Sequence, residues 1–265
     1  MVIAMLFFAV ASAVAVQSDV EPLIDTMNAD VKACLSRTMP KISLTAEASL
    51  HVFDDDGQVS EIRAKVYWKR FGVGLSKELV RFTEPPHKSG IALLVEESSD
   101  PSAEPEMTIY MSELRATRCL VGTALNGSMF GTGFSYEDFA QLRGVVREHE
   151  MRMLEETELD GRVHYVVETS PKVEHSAYAR IVTYVDKQWC IPLVVEFYDR
   201  SDTLIKELLF TKSELRMVDG RQIPHVVTLH DHSRGVRTDV LVEDVEVDTD
   251  IRDLMFTRGD LSRGL

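Results

Sequence analysis

The sequence predicts a mainly β protein: about eleven antiparallel strands in a curved, barrel-like sheet, with two or three helices filling the concave side. Three observations carry this. From Ser43 onward apolar residues recur at alternate positions. Asp-Gly pairs and similar turns separate the alternating runs. Several runs bear large apolar groups on both faces, so the sheet must be covered on both.

In chain order, residues 20–36 space Leu23, Ile24, Met27, Val31 and Leu35 as one helical stripe. Leu44, Ala46, Ala48, Leu50 and Val52 then alternate with polar neighbours, and Asp54-Asp55-Asp56-Gly57 turns the chain into a strand over 59–71. A Pro85-Pro86 corner separates two further strands, because proline removes ladder donors. Asp160-Gly161 divides strands at 147–159 and 162–169, and residues 199–202 divide 193–198 from 204–216. Asp219-Gly220 divides 204–216 from 221–231, and a last strand covers 238–247.

Residues 1–18 form an uncharged apolar run with Ala11, Ala13 and Ala15 in A-x-A order, which reads as a secretory signal peptide. The run is shorter than a membrane span requires. Residues 19–265 then make one domain, large enough to fold without a staple. The chain carries 29 Lys+Arg against 43 Asp+Glu, a net charge of -14, which argues against nucleic acid as a partner. Its cysteines, Cys34, Cys119 and Cys190, are odd in number and widely spaced, so they form no disulfide framework; one pair, for instance Cys119 with Cys190, is open to it in an oxidising compartment.

No motif supplies catalysis, a metal or a cofactor. An EF-hand register on Gly57 would put Val52 and Arg63 at ligand positions. His149-Glu150 lacks the second histidine of a zinc-protease helix, and Ser128 directly follows Gly127 rather than sitting in G-x-S-x-G. His230 and His232 share a strand face, but two histidines without a third ligand fix no catalytic geometry. A hydrolase built on them would lose activity on their substitution.

The stretch that organises the chain is 107–139. An apolar strand passes Arg115 and Arg118, then a glycine-rich segment carries Met129, Phe130 and Phe134, and an acidic helix start follows. Bare hydrophobes in a glycine loop need an apolar cover, so the segment reads as the lip of an apolar cavity where two half-sheets meet.

Residues 82–86 with Lys88, Gly90, Leu93 and Leu94, then Tyr110, Met111, Leu114, Arg115 and Arg118, then the run Met129-Phe130-Gly131-Thr132-Gly133-Phe134-Ser135-Tyr136-Glu137-Asp138, resemble the outer-membrane lipoprotein-sorting, or LolA-like, proteins. Asp186, Pro192, residues 196–199, Leu204, Lys206, Ile251, Asp253, Phe256 and Leu261 extend the likeness to the C-terminus. The resemblance implies a half-open antiparallel β-barrel with helices across its mouth. It also implies a periplasmic, non-enzymatic carrier that needs no cofactor, takes a lipid or acylated lipoprotein from an inner-membrane exporter and delivers it to an outer-membrane acceptor.

On that basis the cavity lining is expected from Trp68, Phe82, Leu93, Ile109 and Met111 in the first half, Met129, Phe130 and Phe134 in the glycine segment, and Tyr184, Val195, Phe197 and Leu208 in the second half. One of Arg115 and Arg118, which fall on opposite faces of an unbroken strand, is expected to meet a head group at the mouth. The alternative function is a lipid-sensing regulatory or assembly module on the same fold, which binds a protein partner instead of handing over cargo.

Overall fold

The structure is a computed structural model that describes residues 29–57, 59–72, 75–97, 105–142, 149–171 and 173–263. The leader expected over 1–18 and the start of the helix expected over 20–36 lie outside them. Helix α1 is Ala29–Ser36, and it leads into strand β1 (Ser43–Phe53). β1 turns at Asp54 to Gly57, where the Gly57 N–H bonds the Asp54 carbonyl, into β2 (Val59–Gly72). β3 (Leu75–Glu84) and β4 (Ala92–Glu96) flank the Pro85-Pro86 corner, and β5 (Glu106–Met111) and β6 (Ala116–Leu120) form a hairpin.

A strap follows over residues 121–142: a 3-10 turn at Gly122–Asn126, the glycine segment, and helix α2 (Tyr136–Leu142). The second half contains β7 (His149–Met153), β8 (Thr157–Leu159), β9 (Arg162–Pro171), β10 (Arg180–Asp186), β11 (Pro192–Tyr198) and β12 (Leu204–Phe210). β13 (Leu215–Val218), β14 (Arg221–Pro224), β15 (Val226–Asp231) and β16 (Val236–Val247) follow, then a 3-10 turn at Asp253–Phe256 and helix α3 (Arg258–Leu261).

Against the expected eleven strands, the described residues form sixteen. The runs 204–216 and 221–231 each break once, where the β13–β14 hairpin leaves the main sheet to pair with itself. Asp160 and Asp219 take φ of 49° and 47° and the glycines after them 72° and 75°, the double left-handed geometry that makes Asp-Gly a tight hairpin turn.

Fourteen strands form one antiparallel sheet in the order β6-β5-β4-β3-β2-β1-β16-β15-β12-β11-β10-β9-β7, with β8 also on β9. It is not closed: β6 and β7 are its edges. The two halves meet where β1 pairs with β16, Leu50 opposite Val240, and not at the 107–139 stretch as expected from sequence. That stretch supplies one edge and then crosses the concave face.

The concave face is the main core. Leu44, Leu50, Ile62, Trp68, Phe82, Leu93, Val195, Phe197, Leu208, Leu229 and Val240 are all at most 3% exposed and belong to one apolar cluster. On the outer face of β3–β5, Leu79, Leu94 and Tyr110 are covered by Ile251, Phe256 and Leu261 of the C-terminal segment. Lys69, Lys77 and Arg81 fasten that segment by donating to the carbonyls of Ile251, Phe256 and both Asp260 and Leu261 respectively.

Helix α1 buries Val31 and Leu35 against Val167 and Val185 at the β9–β10 end. There Cys34 is bonded to Cys190, across 156 residues of chain. This corrects the Cys119–Cys190 pairing: Cys119 lies exposed on β6 with a free thiol. The sequence spacing was uninformative because α1 reaches the β10–β11 turn only through tertiary packing. Replacing Cys34 with serine, or reducing the bond, is expected to lower stability by about 2–5 kcal/mol. Urea midpoints with and without reductant measure this, and equal midpoints would contradict a stabilising tether.

Candidate functional site

The site is the apolar concave face together with the strap across it. Alternation sets the floor: residues two apart share a face, and Trp68, Phe82, Leu93, Ile109, Val195, Phe197 and Leu208 all fall on the concave one. The strap lays Leu125, Met129, Phe134, Phe139 and Leu142 onto that floor, each buried. Phe130 is half-buried and meets the Phe82 ring edge-on, with centroids 4.7 Å apart. These lining residues are thus brought together in one cluster. Met111 shares their strand face but is half-buried at the end of β5.

Tyr184 does not belong with them. It lies on the outer face of β10, where its hydroxyl and that of Tyr198 both donate to Glu196 Oε2, at 3.1 and 2.9 Å. Burial first, then the Glu196 charge, pushes its phenol up to about 12. The expectation failed because β10 is apolar on both faces, so alternation alone does not say which one is concave.

Arg115 and Arg118 are also placed differently from one unbroken strand. Arg115 sits in the β5–β6 turn with φ of 49°, and Arg118 is on β6 opposite Ile109. Both are exposed, and neither makes an ion pair among the described residues.

What fixes the strap is a buried polar network at one end of the basin. Ser135 caps α2: its N–H donates to Asp138 Oδ2 at 2.7 Å, and the Asp138 N–H donates back to Ser135 Oγ at 3.3 Å. Asp138 is fully buried and also accepts from the Tyr178 hydroxyl and from Lys206 Nζ, the latter at 2.7 Å. Lys206 rises from the floor of β12, in line with Leu208 and Phe210, and lies 3.9 Å from Asp231 Oδ2 on β15. Arg234 bonds Asp231 through Nε at 2.6 Å and reaches the Thr132 and Gly133 carbonyls of the strap through Nη2, at 3.0 and 2.7 Å.

Glu137 faces the other way and accepts from the Ser176 hydroxyl and the Ala177 N–H. Burial raises its carboxyl pKa, against the pull of those donors. Burial also pushes the Tyr178 phenol well up, with the Asp138 charge adding to it.

The glycine segment is shaped to fit. A Cβ on Gly133 would come within 3.0 Å of Leu229 Cδ2, and the Gly133 N–H donates to Thr238 Oγ1 at 2.9 Å. Phe130 adopts φ of 55°, a left-handed conformation that costs a bulky residue of order 1–3 kcal/mol and that its packing on Phe82 helps offset. This polar network was not among the site residues expected from the sequence. The signal for it was there: Lys206 and Asp231 are charges standing on the apolar stripe of their strands.

Solved structures share this architecture, among them the following three. A DUF1329 family protein from Desulfovibrio piger matches with a TM-score of 0.80 at 23% identity, over 89% of this chain and 99% of that one. An outer membrane lipoprotein-sorting protein domain from Vibrio parahaemolyticus gives 0.79 at 22%, over 88% and 97%. A LolA superfamily protein from Nitrosomonas europaea gives 0.67 at 18%, over 86% and 98%. The fold is therefore LolA-like, an open antiparallel sheet with its concave face covered.

The chain belongs to the family whose model, described as "Uncharacterized protein", matches residues 74–263. No curated protein matches it. No helix of the described residues is long and apolar enough to cross a membrane, and no group of three or more His, Cys, Asp or Glu among them is placed to hold a metal.

Lys206→Met leaves the Asp138 charge buried beside Tyr178 without its cation and is expected to cost about 3–5 kcal/mol. Adding Asp138→Asn should recover part of that loss in a double-mutant cycle; zero coupling would mean the pair does not hold the strap. Glu137 carries the opposite kind of test. Its folded pKa lies above its ordinary 4.5, so the stability it contributes is full below that value and is lost as pH rises through the folded pKa. Glu137→Gln should flatten that stretch of the stability–pH curve, and an unchanged slope would sink the assignment.

Proposed function

We propose that this protein is a periplasmic, non-enzymatic carrier. It holds an acyl chain of a lipid or lipoprotein between the concave floor and the strap, and passes it from an inner-membrane exporter to an outer-membrane acceptor. The observation that carries the reading is an apolar floor running from Ile109 across to Val195 under a roof that is not hydrogen-bonded into the sheet as a strand. Its ties are side-chain bonds, most of them around Asp138, Lys206 and Arg234, with Lys88 bonding the Phe130 carbonyl and Asn126 the His175 carbonyl.

Trp68, Phe82, Leu93, Ile109, Val195, Phe197 and Leu208 form the floor in this reading, and Met111 extends it. Met129, Phe130 and Phe134 form the underside of the roof. An acyl chain entering between them takes the place of roof side chains, and methionine readily repacks. Each buried methylene contributes about 0.8 kcal/mol, so a long chain is held by apolar contact alone and release needs the strap to lift. Arg118, at the rim beside Ile109, and Arg115, at the adjoining turn, are the cations that an anionic head group would meet.

The Cys34–Cys190 bond fits an oxidising compartment, and the leader-like residues 1–18 fit export into it. With a net charge of -14, nucleic acid is no partner in this account.

Organic extracts of the purified protein are expected to contain lipid near one equivalent by mass spectrometry. In a Trp189→Phe variant, which leaves Trp68 as the sole tryptophan, a brominated fatty acid should quench the remaining fluorescence. Absence of both extracted lipid and quenching would overturn the carrier reading.

A further inference from the structure

The geometry points to β6 as a docking edge for an extended acidic segment of a partner protein, which adds to the sheet as a further strand. β6 ends the sheet, and no described strand pairs with its outer side. Its register with β5 runs from Met107 opposite Leu120 to Met111 opposite Ala116 without a bulge. It contains no proline, and Ala116 to Cys119 are exposed. Natural sheets blunt a free edge with bulges, prolines, charges or a covering segment. Among the described residues β6 has no bulge, proline or cover, and its one charge, Arg118, repels a second basic edge while attracting an acidic one. The other edge differs: β7 reads His-Glu-Met-Arg-Met, and its Arg152 is already paired with Glu168 at 2.6 Å.

Charge selects the occupant. The molecule has 43 acidic against 29 basic residues, yet Arg115 and Arg118 at this edge have no carboxylate partner among the described residues. A second copy pairing antiparallel through β6 would bring like arginines together, which disfavours self-association. A broad anionic membrane would be repelled by the net charge of -14. A single acidic strand meets the two arginines without meeting the rest of the surface. Leu114 and Val121, 70% and 69% exposed at the two ends of the strand, offer it apolar contacts. Backbone pairing supplies affinity in such an arrangement and the side chains supply selection. In the carrier reading the same two arginines meet a cargo head group, so cargo and an acidic strand would compete for them, while the backbone pairing along β6 does not depend on that reading.

The test uses the whole chain and two labelled peptides of about eight residues, one alternating valine with glutamate and one alternating valine with lysine, read by fluorescence anisotropy. The glutamate peptide should bind at least about tenfold more tightly, and the difference should shrink in high salt. Arg118→Glu, an exposed change that leaves the fold intact by circular dichroism, should reverse the preference. A glutamate peptide carrying a 2-pyridyl disulfide on a terminal cysteine should exchange with the Cys119 thiolate, forming the mixed disulfide and releasing pyridine-2-thione, with the site located by peptide mapping. Equal binding of the two peptides, no binding, or a crosslink elsewhere would overturn the proposal. So would dimerisation lost in Arg118→Glu, which would assign the edge to a second copy, or recruitment to phosphatidylglycerol vesicles lost in the same variant, which would assign it to a membrane.

Discussion

Everything in this molecule follows from the need to cover the concave face of a fourteen-stranded sheet. A face carrying Trp68, Phe82, Phe197, Leu229 and Val240 cannot be left in water, since each such side chain is worth roughly 1.5–3 kcal/mol when buried. The sheet does not close, so it cannot cover itself as a barrel does. The roof has to come from elsewhere in the chain. Among the described residues it comes from the stretch that leaves the edge strand β6, joined by Met39, Tyr178 and Ile223 from other segments.

The roof is apolar where it meets the floor, with single bonds from Lys88 to the Phe130 carbonyl and from Asn126 to the His175 carbonyl, and its buried charges gather at one end. There a lysine and an aspartate stand on floor positions that alternation would give to leucine or valine, and they accept the cost of burial in exchange for fixing the strap in one register. Gly133 brings the strap's backbone against Leu229 and Thr238, closer than a side chain would allow. Apolar contact thus gives the closed state its strength, and the charge network decides its position.

Much of the sheet was legible in the sequence because its signals are local. Alternation placed the strands at 43–53, 59–72 and 192–198 to within a residue or two, and Asp-Gly marked two hairpins whose left-handed geometry the structure shows. What was not legible depended on distant partners. The β1–β16 seam joins strands nearly two hundred residues apart by no local rule. The β5–β6 turn is Ser-Glu-Leu-Arg, without a glycine or proline to mark it, so two strands read as one. Tyr184 was put on the wrong face because strands with two apolar faces give alternation no sign. Trp68 was legible because Arg63, Lys65 and Lys69 take the other face of its strand, whereas Phe82, Leu93 and Ile109 gathered although Leu79, Leu94 and Tyr110 make the other face of theirs apolar too.

The C-terminal segment gives the two halves of the sheet unequal stiffness. Strands β3 to β5 are clad on both sides, by the roof within and by Phe256 and Leu261 without, and three cations rivet that outer layer down. Among the described residues, the outside of β10 to β12 has Val182, tyrosines and ion pairs but no second layer like the C-terminal segment. Any bending of the sheet would therefore meet a single layer at β10 to β12 and a double one at β3 to β5.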